Sequence, residues 1–323
     1  MKLTGAILAR LMLPFAATLL VAGTAAADDA PDVVVSIKPI HSLVAAIMDG
    51  VGAPKLIVEG ASSPHTYSLK PSNASALESA KVIFWVGPGM EAFLEKSLSA
   101  LGNNAVIAEL DKAPGLTKLR YREGGAFEAD NDGDEPSATA SDGHDHGGAD
   151  AFDTHLWLDP MNAKAMATEI TTTLVAADPA NALTYQSNQK TLDDKLDALD
   201  AEIAATVAPV KEKPFVVFHD AYQYFERRYG VHVAGSITVS PETIPGAARV
   251  SEIHDKVSTL GATCVFAEPQ FEPRLINVVI EGTEAKSGVL DPEAATLKEG
   301  PDLYFDLMHG IAASLKTCLS QNS

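Results

Sequence analysis

The chain has 323 residues, with 24 lysines and arginines against 43 aspartates and glutamates, a formal charge of −19, and 46% hydrophobic residues. So acidic a balance disfavours nucleic acid and anionic lipid as partners and is compatible with attracting cations. Beyond residue 27 no run of about 18 or more apolar residues occurs, which argues against a membrane-spanning chain.

Residues 1–27 read as an export signal. Lys2 and Arg10 supply the positive flank, Leu11 to Val21 the apolar centre, and Ala25 to Ala27 a small-residue cleavage site. No cysteine follows that site, so a lipid anchor on a new amino-terminal cysteine is not expected, and a periplasm-like compartment is. Losing Lys2 and Arg10 takes the charge from −19 to −21.

After the signal the pattern alternates strand and helix. Val33 to Ile37 is a β-branched strand, and Pro39 opens a helix that stops near Gly50. Leu56 to Val58 is the next strand, leading through Gly60 into a loop that bears His65. A helix from Pro71 to Ala80, a strand from Val82 to Val86, a helix from Met90 to Leu101 and a strand from Ala105 to Leu110 complete a parallel α/β lobe.

Residues 123–150 break the rhythm. They hold nine acids and two histidines, His144 and His146, with almost no apolar residue, so they cannot build a core and read as a solvated loop. His144 and His146 are candidates for auxiliary, weak metal capture.

The hub follows in Asp153-Thr-His-Leu-Trp-Leu-Asp-Pro160, where the apolar neighbours of His155 hold its ring partly out of water. Asp159 is placed either to cap the next helix or to support His155. Helices are expected over 161–177 and 180–207. The second carries Tyr185, Leu192, Leu196, Leu199, Ile203 and Val207 at steps of three, four or seven and reads as a long helix joining two lobes.

The second lobe repeats the alternation. Strands are expected at Phe215 to Phe218, Val231 to Val239, Thr263 to Ala267 and Gly288 to Leu290, and helices over 222–229, 246–260, 273–285 and 302–319. The boundaries are thus 1–27 for the signal, 28–178 for the first lobe, 179–208 for the linker helix and 209–323 for the second lobe. Cys264 and Cys318 are the only cysteines, and in an oxidising compartment they are expected to pair.

In open parallel sheets, ligands bind beyond the carboxyl ends of the strands. His65, His155, His219 and Asp291 all fall there, two from each lobe, with each histidine read as lying where a strand ends. Three imidazoles with an oxygen or water in fourth place suit tetrahedral zinc, whereas manganese would favour more carboxylates. His41, His232, His254 and His309 have no matching partners and read as structural.

These segments carry a resemblance. Ser36-Ile-Lys-Pro-Ile-His-Ser42, Pro64-His-Thr-Tyr-Ser-Leu-Lys-Pro-Ser72, the acidic loop before Thr154-His-Leu-Trp-Leu-Asp-Pro160, Val217-Phe-His-Asp-Ala-Tyr222 and Leu290-Asp-Pro292 are similar to the ZnuA-type, zinc-uptake branch of the metal-binding solute-binding proteins of ABC transporters (cluster A-I). The likeness covers nearly the whole mature chain. It implies two α/β lobes joined by a rigid helix, Zn2+ held between them, and delivery of that ion to an inner-membrane ABC permease by a monomeric periplasmic receptor that is not an enzyme. Manganese-type relatives carry a glutamate where this chain has His219. Some zinc-type members have a glutamate just before the first histidine, where this chain has Pro64, so the fourth position is open between Asp291 and water. The rival readings are a manganese-type receptor or adhesin of the same family, and a zinc hydrolase, which would need a general base and a substrate pocket that no constellation here supplies.

Overall fold

A computed structural model describes residues 30–122 and 151–320, apart from 242, 261–263 and 272–273. The signal segment, His144 and His146 lie outside the described residues. Two four-stranded parallel sheets organise the rest. The first is built from β1 (Val33–Val35), β2 (Lys55–Leu56), β3 (Val82–Trp85) and β4 (Val106–Glu109) in the order β2-β1-β3-β4. The second is built from β5 (Pro214–His219), β6 (His232–Thr238), β7 (Cys264–Ala267) and β8 (Lys286–Val289) in the equivalent order β6-β5-β7-β8.

Parallel neighbours need crossover connections, and the intervening segments supply them as helices. These are α1 (Lys38–Ile47), α2 (Pro71–Ser79) and α3 (Ala92–Leu101) around the first sheet, then α4 (Pro160–Ala177) and α5 (Ala182–Val207). Around the second sheet lie α6 (Gln223–Tyr229), α7 (Ala247–Leu260), α8 (Arg274–Ile280) and the closing α9 (Leu303–Ser320). Every residue of β1 and β3 is buried, as expected of central strands covered on both faces. The edge strands β4 and β8 instead leave Val106, Ile107 and Val289 exposed. Gly230, at φ 66°, ends α6 in the left-handed conformation that stops a helix without a Cβ clash.

The long helix carries the stripe that its sequence predicts: Tyr185, Leu192, Leu196, Leu199, Ile203 and Val207 are its buried residues. At 1.5 Å per residue it is about 39 Å long. It packs on α1, α4 and α9, and α1 and α9 also meet each other. One apolar core accordingly runs from Val34 and Phe84 through this stripe to Phe215, Phe266 and Tyr304, while Val216, Phe218, Ile253, Val265 and Val279 form a second core behind the second sheet. A disulfide joins Cys264 on β7 to Cys318 on α9, as expected.

Long-range polar contacts tie the amino-terminal helix to the far end of the chain. The buried Lys38 ammonium donates to the carbonyls of Ala294, Ala295 and Leu297 at 2.9–3.0 Å. Ser42 Oγ donates to Pro301 O at 3.0 Å and accepts from Tyr304 N at 3.0 Å. Trp157 Nε1 donates to Pro292 O at 2.8 Å, and the Tyr304 hydroxyl donates to Trp157 O at 2.7 Å.

Glu91 locks the end of the first sheet. Its fully buried carboxylate accepts from Val86 N at 3.1 Å, from Gly87 N at 3.0 Å and from Ser36 Oγ. Gly87 is required beside it, because a Cβ there would lie 2.4 Å from Asp111 Oδ2. Burial raises the Glu91 carboxyl from 4.5 to about 7. The folded chain therefore keeps this proton between those values while the unfolded chain releases it, and the contribution of Glu91 to stability falls as pH rises through that window. Urea unfolding at pH 5 and pH 8 is expected to show a smaller pH-dependent loss in Glu91→Gln than in the parent; an equal loss in both would assign the effect to other groups.

Candidate metal centre

The three histidines reach one point from three different local structures. Pro64 opens a single 3-10 turn, Pro64–Thr66, that holds His65. His155 immediately precedes a second 3-10 turn, Leu156–Leu158, whose three side chains are all buried. His219 is the last residue of β5. Only His219 therefore ends a strand; the strand ends expected at His65 and His155 are tight turns. A prolyl φ suits the start of the turn at His65, and a continuous buried run such as Leu156–Leu158 does not by itself distinguish a covered strand from a buried turn.

Their ligand atoms converge. The Nε2 atoms of His65 and His155 are 3.3 Å apart, those of His155 and His219 3.2 Å apart, and all three residues offer an atom within 4.8 Å of the others. A zinc–nitrogen bond of about 2.0–2.1 Å in tetrahedral geometry sets neighbouring ligand atoms roughly 3.3 Å apart. The two spacings from His155 are those of a tetrahedral edge. His155 and His219 are only 4% and 2% exposed, so an ion here would be largely shielded from water.

Two of the rings are oriented by carboxylates. His155 Nδ1 lies 2.7 Å from Asp153 Oδ1, which also accepts the His155 backbone N–H at 3.0 Å. His219 Nδ1 lies 2.7 and 2.8 Å from the two oxygens of Glu268. A proton held on Nδ1 puts the lone pair on Nε2, the atom that faces the cluster. Gln223 Nε2 in turn donates to Asp153 Oδ2 at 3.2 Å. No carboxylate contact to His65 Nδ1 is present among the described residues.

Electrostatics follow from burial and these partners. Burial, with the neighbouring imidazoles, drives His65 and His155 well below their ordinary value, so both rings are neutral near pH 7. Burial also pulls His219 down, but Glu268, Asp220 and Asp153 outweigh it and the net shift is upward. Burial pushes the Asp153 carboxyl up to about 7. Two nitrogen lone pairs aimed at each other across 3.2 Å repel. Either a proton on His219 or a cation among the rings resolves that contact, so metal and proton compete for the same place.

Asp291 is not brought into this group. Its Oδ1 accepts from Ala295 N at 3.0 Å, Gln270 Nε2 at 3.3 Å and Glu293 N at 3.4 Å, and its Oδ2 from Thr296 N at 3.3 Å. The carboxylate is occupied in holding the turn that follows β8. Its neighbour Glu293 instead faces the cluster, with Oε1 3.9 Å from His65 Nε2. Asp159 caps α4 by accepting Met161 N at 2.8 Å and makes no contact with His155. His41, His254 and His309 bond to Pro54 O, Glu281 O and Glu202 respectively, away from the site.

Sequence reasoning gave no role to Asp153, Glu268 or Glu293. A signal existed for two of them: Asp153 stands two residues before His155, and Glu268 directly follows β7, the strand beside β5, at the same carboxyl edge as His219. Glu293 stands in a turn with no regular pattern and had none.

Comparisons with known proteins agree with this architecture. A family model for ZnuA, described as the periplasmic zinc-uptake complex component A, matches residues 33–318. The chain is 53% identical over 316 residues to the high-affinity zinc uptake system protein ZnuA of Brucella suis biovar 1 (strain 1330), covering 93% of this chain and 95% of that protein. Among solved structures, a crystal structure of ZnuA superposes with a TM-score of 0.72 at 26% identity, covering 91% of this chain and all (100%) of that one. The periplasmic zinc-binding protein TroA of Treponema pallidum superposes with a TM-score of 0.74, covering 90% of this chain and 99% of that one; at 20% identity it speaks to the fold alone.

Proposed function

Since the chain belongs to the ZnuA family of periplasmic zinc-uptake components, we propose that it is a zinc receptor that binds Zn2+ through His65, His155 and His219 and passes it to an inner-membrane ABC permease. It is a binding protein and not an enzyme. The observation that carries the reading is the convergence of three imidazoles, with the His155 Nε2 at tetrahedral-edge distance from those of His65 and His219 and two of the rings oriented by buried carboxylates. Three imidazole nitrogens favour zinc over manganese, which prefers oxygen.

The same reading assigns residues 1–27 to export and places the mature chain in the periplasm as a monomer, with lobes at 28–178 and 209–323 about a linker at 179–208. No described helix is long and apolar enough to cross a membrane. Release to the permease requires the ligands to part. The loop after Asp291 is fastened to Lys38 and Trp157 of the first lobe, so a shift of the second lobe would withdraw His219 and leave that loop with His65 and His155.

Competitive titration of metal-free protein with zinc and manganese tests this, with bound metal counted by mass spectrometry. About one zinc per chain, held against excess manganese, is expected. Manganese preference, or no stoichiometric zinc, would overturn the assignment.

A further inference from the structure

We propose that Glu293, rather than Asp291 or water, supplies the fourth, oxygen ligand to the metal. This rests on the three-histidine zinc reading above and adds the residue that closes the shell. The side chain is 6% exposed, and its Oε2 is buried without any hydrogen-bond partner. A buried carboxylate oxygen with nothing to accept is costly unless a cation or donor meets it. Its other oxygen points at His65, 3.9 Å from Nε2, when roughly 3.3 Å is the spacing that two ligands of one tetrahedral zinc adopt. An adjustment of about half an ångström closes the difference to His65; Glu293 is not within 4.8 Å of all three imidazole ligand atoms, so reaching His155 and His219 takes a further turn of its side chain toward the cluster.

The backbone around Glu293 is held on both sides. Pro292 O accepts the Trp157 indole N–H at 2.8 Å, and Ala294 O accepts from Lys38 Nζ at 3.0 Å. Ala294 itself sits at φ 58°, in the left-handed region that alanine rarely adopts, with its side chain fully buried. A conformation unfavourable for a non-glycine residue persists where surrounding contacts enforce it. Here those contacts fix the direction in which Glu293 leaves the main chain. Asp291, two residues earlier, has both oxygens engaged by three backbone amides and Gln270, so recruiting it to a metal would strip the turn of its acceptor. The two carboxylates divide the work: Asp291 shapes the turn and Glu293 faces the ion.

The test uses the full mature protein as Glu293→Gln and Asp291→Asn, read by zinc competition and by the visible absorption of the cobalt(II)-loaded forms. Glu293→Gln keeps the shape of the side chain and removes its charge. It is expected to retain one metal per chain, to bind zinc between about ten- and a hundredfold more weakly, and to change the cobalt spectrum. Asp291→Asn is expected to lower the unfolding temperature and leave the cobalt spectrum unchanged. A cobalt spectrum and zinc affinity unaltered in Glu293→Gln, or a spectrum altered only in Asp291→Asn, would overturn the assignment of Glu293 while leaving the three-histidine receptor intact. Failure of the parent protein to bind zinc would instead remove the reading on which the assignment stands.

Discussion

Replacing His219 with alanine is expected to weaken zinc binding by about a hundredfold or more. A protein zinc site of four ligands contributes roughly 10–16 kcal/mol, so one ligand accounts for about 3 kcal/mol, and each 1.4 kcal/mol is tenfold in affinity. His219 is also the histidine of the three whose removal leaves most behind. Glu268, 3% exposed and bonded through both oxygens to the lost ring, would remain as a buried carboxylate without its partner. The variant should therefore lose stability as well as affinity, and the two losses separate by measuring zinc competition alongside unfolding of the metal-free protein. Affinity within threefold of the parent would remove His219 from the site and leave His65 and His155 as a pair.

The second large effect concerns the disulfide. Cys264 and Cys318 close a loop of 54 residues between β7 and α9. On the chain-entropy account, the open loop raises the entropy of the unfolded state by an amount worth roughly 4 kcal/mol. Both sulfurs lie where β7 meets the helix that covers it, and Cys264 is fully buried, so a serine pair would also bury hydroxyls in an apolar setting. For a chain of this size, the double Cys264→Ser, Cys318→Ser variant should unfold on the order of 10 °C lower in a thermal scan. A shift of a degree or two would mean that the reduced, unfolded chain is already compact. Zinc stoichiometry should be preserved in the folded variant, since neither cysteine touches the three imidazoles.

How far the sequence announces this molecule depends on the kind of signal. The alternation of apolar runs and helical periodicity placed all eight strands and the long helix, because a parallel sheet covered on both faces demands continuous apolar strands such as Val33–Val35 and Val82–Trp85. The stripe from Tyr185 to Val207 was legible for the same reason: burial on one face imposes its period on the sequence. The three histidines were legible as members of short local motifs. Their turns were not, since one turn of 3-10 helix leaves no period to read. The supporting carboxylates were harder still. Glu268 acts across 49 residues of sequence, and only the adjacency of β5 and β7 brings it to His219. Asp291 shows the limit of position as evidence. It stands beyond a strand end, and its oxygens accept from three backbone amides and Gln270, an engagement that no spacing in the sequence reports.

The bonds from Lys38 to Ala294, Ala295 and Leu297 span 256 to 259 positions of the chain. They bear on the order in which the molecule can assemble. Contacts this remote form only after a large loss of chain entropy, and a fold that depends on them is slow to complete. Helix α1 emerges early in synthesis, yet its lysine has no acceptors, and Ser42 no partner in Pro301 and Tyr304, until the carboxyl-terminal residues arrive. The amino-terminal lobe is thus finished by the last part of the chain to be made. Until then the Lys38 ammonium keeps its water, and the site that buries it in the native fold stays unformed.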